Sequence, residues 1–193
     1  MSYRPITDVW ILARPKVAYY GAYPSGFLAR ARALLGVHIN DSVLHVCSGM
    51  VRNYPFSGLG PNDKTVDINE DLKPDYVCDV AKQELPLYLD GWPAILADPP
   101  YTPEDADHYT CGRESFPDPR QLLARCLDRV RAGGRVGFLH YAWPRPPDWM
   151  GRIKCVALVG VITGYNNRMR AFSVFEKVKE LEAREAKRDG VAV

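Results

Sequence analysis

The sequence predicts an open, doubly wound α/β sheet that is mostly parallel and ends in an antiparallel hairpin. Three observations predict it. Short apolar runs without strict alternation recur between amphipathic stretches, as expected of parallel strands covered on both faces. Four of those runs end in small polar or acidic residues: Ser48-Gly49, Asp67, Asp79 and Asp98. After the fifth run the pattern changes to two long β-rich segments around Gly164-Tyr165-Asn166-Asn167-Arg168, a hairpin-turn composition.

The elements follow in chain order. Residues 26–35 read as a helix, with Ser25 as N-cap, one apolar stripe (Phe27, Leu28, Ala31, Leu34, Leu35) and Gly36 at its end. Residues 42–47 form the first strand, 64–69 the second and 75–79 the third. Residues 94–97 are an apolar fourth strand that runs straight into Asp98-Pro99-Pro100-Tyr101. Pro119 opens a second helix, in which Leu122, Leu123, Cys126, Leu127 and Val130 keep helical spacing until Gly133-Gly134. Residues 135–141 make the fifth strand, and 153–163 with 169–178 make the hairpin, seven strands in all. Residues 1–178 thus read as one domain. Residues 179–193 form a charged tail whose Glu180–Arg184 pair suits a solvated helix.

Composition bounds the function. At 193 residues, 47% hydrophobic and 25% charged, the chain is one globular domain, which excludes disordered, collagen-like and coiled-coil classes. No apolar run approaches the roughly 20 residues that span a bilayer, so no membrane partner is expected. Residues 1–8 carry no basic-then-apolar signal, which makes a cytoplasmic address the expectation. A net charge of +2 permits a polyanionic partner without requiring one. The five cysteines are widely spaced, with no CxxC pair and no histidine at ligand spacing, so neither zinc nor a disulfide framework is indicated. Cys47, Cys78 and Cys155 read as small buried hydrophobes, and His45 as a core or cleft-edge side chain.

In open α/β sheets the ligand crevice lies outside the C-terminal strand ends. Cys47-Ser48-Gly49 gives a backbone that a ligand can approach closely. Asp67, about 20 residues after that turn, suits the two hydroxyls of a ribose. Asp79 ends the third strand and Asp98 the fourth. Each feature alone is an ordinary turn or cap; their order carries the argument.

That order resembles the class I S-adenosylmethionine-dependent methyltransferases, over approximately residues 19–178. Asp98-Pro99-Pro100-Tyr101 is similar to the (Asp/Asn)-Pro-Pro-aromatic motif of the amino-methylating branch, above all the DNA adenine-N6 enzymes. The resemblance implies a Rossmann-like methyltransferase sheet and S-adenosylmethionine as cofactor. It puts Asp98, Pro99, Pro100 and Tyr101 in the catalytic role. It implies cofactor contacts from Cys47, Ser48 and Gly49, from Asp67 and Ile68, from Asp79 and Val80, and from Asp98. Residues 20–24, with Tyr20, Tyr23 and Pro24, resemble the segment that closes over the methionine moiety. The sequence departs from the family in its first loop, where Gly49 stands alone instead of in a multi-glycine pattern, and in lacking a target-recognition domain.

The motif suits its chemistry. An exocyclic amine is a poor nucleophile because its lone pair is delocalised into the ring. A carboxylate (Asp98) and a carbonyl (Pro99) accepting its two N–H groups favour an sp³-like nitrogen. The prolines fix the backbone, and Tyr101 offers a stacking face. Substrate contacts are expected from the 102–119 loop as a lid, through His108, Tyr109 and Arg113, and from the hairpin turn, through Asn167, Arg168 and Arg170. The 102–119 stretch can equally be a surface excursion, and the turn a plain β-turn. Tyr141 and Trp143 can wall the pocket or fill core. The expected partner is nucleic acid, DNA rather than RNA, with a homodimer possible for so small a chain. Alternatives are methylation of RNA at guanine N2 or adenine N6, methylation of a protein glutamine amide, and a non-catalytic binding subunit of the same fold.

Overall fold

Eight strands form one sheet in this computed structural model, which describes residues 4–16, 22–53, 58–109, 112–150, 152–164 and 168–179. In chain order the strands are β1 (Ile6–Leu12), β2 (Val43–Val46), β3 (Lys64–Asp67), β4 (Tyr76–Val77), β5 (Trp92–Ala97), β6 (Val130–His140), β7 (Ile153–Thr163) and β8 (Met169–Lys177). Their spatial order is β1-β7-β8-β6-β5-β2-β3-β4. Only β8 runs antiparallel to its neighbours, β6 and β7. The seven expected strands are all present, and the terminal hairpin pairs Ile162 with Met169 as its composition predicts.

β1 adds an eighth strand that the sequence pattern does not predict. It pairs in parallel with β7 at the sheet edge and buries only Trp10 and Leu12. The run is apolar at Ile6, Val9, Trp10, Ile11 and Leu12, but without strand alternation, and three of these side chains stay exposed. Trp10 nevertheless closes one core, with its ring 6.3 Å from Phe27 and 6.0 Å from Phe172.

Helices α1 (Phe27–Leu35) and α3 (Pro119–Arg129) supply the two cores. α1 buries Phe27, Leu28, Ala31 and Leu35 against Trp10, Val159 and Phe172. α3 buries Leu122, Leu123, Cys126 and Leu127 against Leu44, Ile95 and Phe138. Each large side chain so removed from water contributes about 1.5–3 kcal/mol.

Local ends correct three expectations. The N-cap of α1 is Gly26 at φ 78°, not Ser25, and the Pro24 carbonyl accepts the Phe27 amide at 3.0 Å. α3 stops at Arg129 rather than Gly133, because Val130 already pairs with Trp92 in the sheet. Lys177 Nζ takes up the released Leu127 and Val130 carbonyls at 2.9 and 3.2 Å. The 102–119 stretch is not a loose loop. It contains α2 (Pro103–His108), capped by Thr102 Oγ1, which accepts the Asp105 amide at 3.1 Å, with Pro103 in its first turn.

Beneath the sheet's N-terminal side, Asp63 is fully engaged. Its carboxylate accepts from Arg32 Nη1 (2.8 Å), His45 Nε2 (3.1 Å) and the Gly60 (2.8 Å) and Val43 (2.9 Å) amides. Burial pushes this carboxyl up, but the hydrogen bonds from His45, Gly60 and Arg32 hold it below its ordinary value. His45 is therefore a core residue, as its apolar setting predicts. The tail 180–193 lies outside the described residues.

Candidate active site

β2 is the sheet's switch point: the chain proceeds from it outward to β3 and β4 on one side, and through β5 and β6 on the other. The sequence-predicted groups of residues 47–49, 67, 79 and 98 all follow C-terminal ends of these parallel strands. There the crevice of an open sheet lies.

The loop after β2 is built on two left-handed residues, Cys47 at φ 56° and Gly49 at φ 51°. Cys47 occupies a region that L side chains rarely adopt, a local strain of the kind that accumulates at functional sites. The Ser48 amide donates to the Val66 carbonyl at 3.1 Å. Asp67 then ties the loop to the next strand: Oδ2 accepts the Gly49 amide at 2.8 Å and Oδ1 the Asn69 amide at 3.0 Å. Burial outweighs these amides and raises the Asp67 carboxyl above its ordinary value. Asp67 therefore braces the loop, with its remaining lone pairs at the strand end, and Ile68 follows it half-buried.

Asp79 is held differently. Burial pushes its carboxyl up, but the Ser115 hydroxyl (2.8 Å), the Ala81 amide (3.0 Å) and Lys82 (3.3 Å) outweigh it and hold the group low. Val80 is buried in the core behind it. Ser115 lies 36 residues away in the chain, so no local pattern in the sequence signals this contact.

The first loop also holds a test of what it can bind. The Ser48 hydroxyl is buried with no hydrogen-bond partner among the described residues. A buried hydroxyl without a partner costs about 1–3 kcal/mol, which a bound polar ligand relieves. Together with Asp67 and the half-buried turn of Cys47 and Gly49, it fits an amino-acid and ribose moiety of the kind S-adenosylmethionine carries.

Asp98 sits at the end of β5, its amide donating to the Val46 carbonyl at 3.2 Å. Tyr101 turns its hydroxyl back and donates to Asp98 Oδ1 at 2.7 Å. Burial pushes the Asp98 carboxyl up to about 6, against the lowering pull of the Tyr101 hydroxyl and the Arg170 charge. Burial, with Asp98 beside it, also pushes the Tyr101 phenol well above its ordinary value. Pro99 is buried and Pro100 half-buried between them.

The ring of Tyr101 is not an open stacking face. Arg170 lies over it at 5.4 Å, Tyr141 packs at 4.6 Å, and His140 meets it edge-on at 5.4 Å. This corrects the expectation that Tyr101 presents a free surface. His140 lies beside Tyr101 and is missed by the sequence reading, because it ends β6 as an unremarkable polar residue. Its Nδ1 accepts the Ala142 amide at 2.9 Å, which puts the proton of the neutral ring on Nε2. Burial holds this imidazole below its ordinary range.

The remaining candidates divide. Tyr109 lies close enough to Tyr101 and Arg170 to perturb both electrostatically, which places it at the site. Arg168 reaches the Tyr141 hydroxyl at 3.3 Å. Arg113, expected to meet substrate, forms exposed ion pairs with Glu104 and with Asp107 (3.6 Å) on α2. His108 is exposed at the end of α2. Tyr23 is 5% exposed and stacks on Phe27 at 5.1 Å, and Pro24 is buried beside it. Tyr20 and Asn167 lie outside the described residues. Among the described residues no cluster of three or more His, Cys, Asp or Glu side chains can hold a metal, and no helix is long and apolar enough to cross a membrane.

No family model matches the sequence, and no curated protein does. Solved structures do match. A protein of Streptococcus mutans assigned to the SAM-dependent methyltransferases superposes with a TM-score of 0.50 at 13% identity, over 80% of this chain and 50% of that one. TrmN of Thermus thermophilus gives a TM-score of 0.49 at 17% identity, over 78% of this chain and 48% of that one. A TehB-like SAM-dependent methyltransferase of Corynebacterium glutamicum gives 0.47 at 13% identity, over 81% and 90%. The chain thus spans about half the length of the first two of these. At such identities the likeness concerns the fold alone: the sheet is that of the Rossmann-like methyltransferases.

Proposed function

We propose that this chain is an S-adenosylmethionine-dependent N-methyltransferase acting on an exocyclic nucleobase amine, adenine N6 in DNA. The observation that carries the reading is the Asp98 carboxyl, held at the end of β5 beside the switch point, with Tyr101, Tyr141 and Arg170 around it. The orphaned Ser48 hydroxyl and the strained first loop support cofactor use.

When bound, the cofactor supplies an electrophilic methyl group on a sulfonium. The chain supplies the rest. Asp98 Oδ2, which Tyr101 leaves without a partner, accepts one N–H of the amine, and the Pro99 carbonyl accepts the other. With both N–H groups held, the nitrogen lone pair points away from the ring plane. Alignment of this kind lowers barriers by roughly 7–11 kcal/mol in well-oriented reactions. A carboxyl near 6 is ionised at neutral pH, so it accepts the N–H, and it is basic enough to take the proton released once the nitrogen is methylated. On duplex DNA the base must leave the stack first.

RNA stands as the second reading, because the groups placed around the amine, Asp98, the Pro99 carbonyl and Tyr101, address the base and not the sugar. The test is transfer of a tritiated methyl group from the cofactor to DNA, RNA and protein acceptors, with the product base identified by mass spectrometry. N6-methyladenine in DNA is expected. Label only in RNA or in glutamine side chains refutes the DNA assignment, and label in none refutes the activity.

A further inference from the structure

Arg170 lies near the start of β8 beside the carboxylate, and among the described residues nothing accounts for all of its donors. Its guanidinium carbon lies 5.4 Å above the Tyr101 ring, and no ion pair joins it to Asp98 among the described residues. Its Nε is buried with no hydrogen-bond partner among them. The cation–π contact explains where the plane lies but leaves this N–H without an acceptor. Leaving a buried donor of a charged group unsatisfied is costly, and the guanidinium carries five donors in a rigid fork that cannot reorganise one at a time.

The chain therefore presents an acceptor and a donor next to each other: Asp98 Oδ2 and the Arg170 fork, bridged by Tyr101. An amine on a heteroaromatic ring presents the complement. Its N–H is a donor, and the ring nitrogen flanking the amine-bearing carbon is an acceptor in the same plane. We propose that Arg170 is a specificity-determining residue, which donates to the ring nitrogen flanking the target amine and so selects aminopurine or aminopyrimidine faces over simple amines. This deepens the methylation reading above and rests on it.

The test uses oligonucleotides carrying adenine, 1-deazaadenine, which lacks the ring nitrogen flanking the amine-bearing carbon, or 7-deazaadenine, which lacks the nearest ring nitrogen on the amine's other side. kcat/KM for labelled methyl transfer is measured for the wild type, Arg170→Met and Arg170→Lys. The wild type is expected to disfavour one of the two analogues by about ten- to a hundredfold, the range of a charge-assisted hydrogen bond. Arg170→Met is expected to lose the same factor on adenine and to treat all three bases alike. Arg170→Lys keeps the charge without the planar fork and is expected to lose most of the discrimination while still folding and binding cofactor. Equal use of the three bases by the wild type overturns the proposal, as does discrimination that survives in Arg170→Met. A uniform loss on all three bases with a shallower salt dependence also overturns it, in favour of a phosphate contact. Failure of the wild type to methylate adenine at all refutes the underlying activity, and is told apart by the absence of any rate to compare.

Discussion

Replacing Asp98 by Asn isolates the cost of holding a carboxylate where this fold puts one. The side chain keeps its shape and still accepts from the Tyr101 hydroxyl, so the charge is the main difference. Burial raises the Asp98 carboxyl from an ordinary 3.8 to about 6. A raised acid is stabilising to the fold in its protonated form: that contribution is complete below about 3.8 and is lost as pH rises through about 6. At 1.36 kcal/mol per pH decade, the ionised group costs the native state about 3 kcal/mol at neutral pH. Asp98→Asn is therefore expected to be more stable than wild type by about 3 kcal/mol at pH 7.5, a gap that closes almost completely by pH 4. Urea unfolding followed by circular dichroism reads it directly. With a slope of about 2 kcal/mol per molar urea, the midpoint rises by about 1.5 M at pH 7.5 and hardly moves at pH 4. A variant no more stable than wild type at pH 7.5, or a gap that is independent of pH, refutes the reasoning.

The same accounting gives four further expectations. Methyl transfer by the wild type falls about tenfold per pH decade below about 6, as Asp98 becomes protonated, in a pH–rate profile at saturating substrate. Asp67→Ala frees the Gly49 and Asn69 amides and lowers cofactor affinity at least about tenfold by calorimetry, with little change in melting temperature if the loop alone is loosened. Arg32→Met leaves Asp63 charged and buried, and costs about 3–5 kcal/mol in urea unfolding at pH 7. Ser115→Ala removes the hydroxyl that helps hold the Asp79 carboxyl low, and costs about 1 kcal/mol, most of it regained at pH 3.

The sheet was legible because its strands are short, apolar and punctuated by residues that the C-terminal ends require. Residues 153–163 read as a strand with the boundaries the structure has, since β-branched residues and a glycine turn mark both ends. β1 was not: five of its seven residues are apolar but do not alternate, and its place at the edge is set by pairing with β7 far along the chain. α3 read too long for a related reason: Val130 keeps the helical period, but its pairing with Trp92 wins. At the site, Asp67, Asp79 and Asp98 were visible as strand-end acids. What each one touches was not. Ser115 on Asp79 and Arg170 over Tyr101 join residues 36 and 69 positions apart, and only the folded chain brings them together. Nor was the pairing of Arg113 with Glu104 and Asp107, one turn apart on α2, visible. The stacking of Tyr23 on Phe27 was likewise not legible.

The most direct measurement compares wild type and Asp98→Ala on one DNA substrate, with cofactor binding followed by calorimetry and methyl transfer by tritium release into N6-methyladenine. The account predicts that both proteins bind S-adenosylmethionine with similar affinity, while transfer by the variant falls by at least about a hundredfold. Turnover undiminished in Asp98→Ala, or a wild-type protein that binds no S-adenosylmethionine, contradicts it.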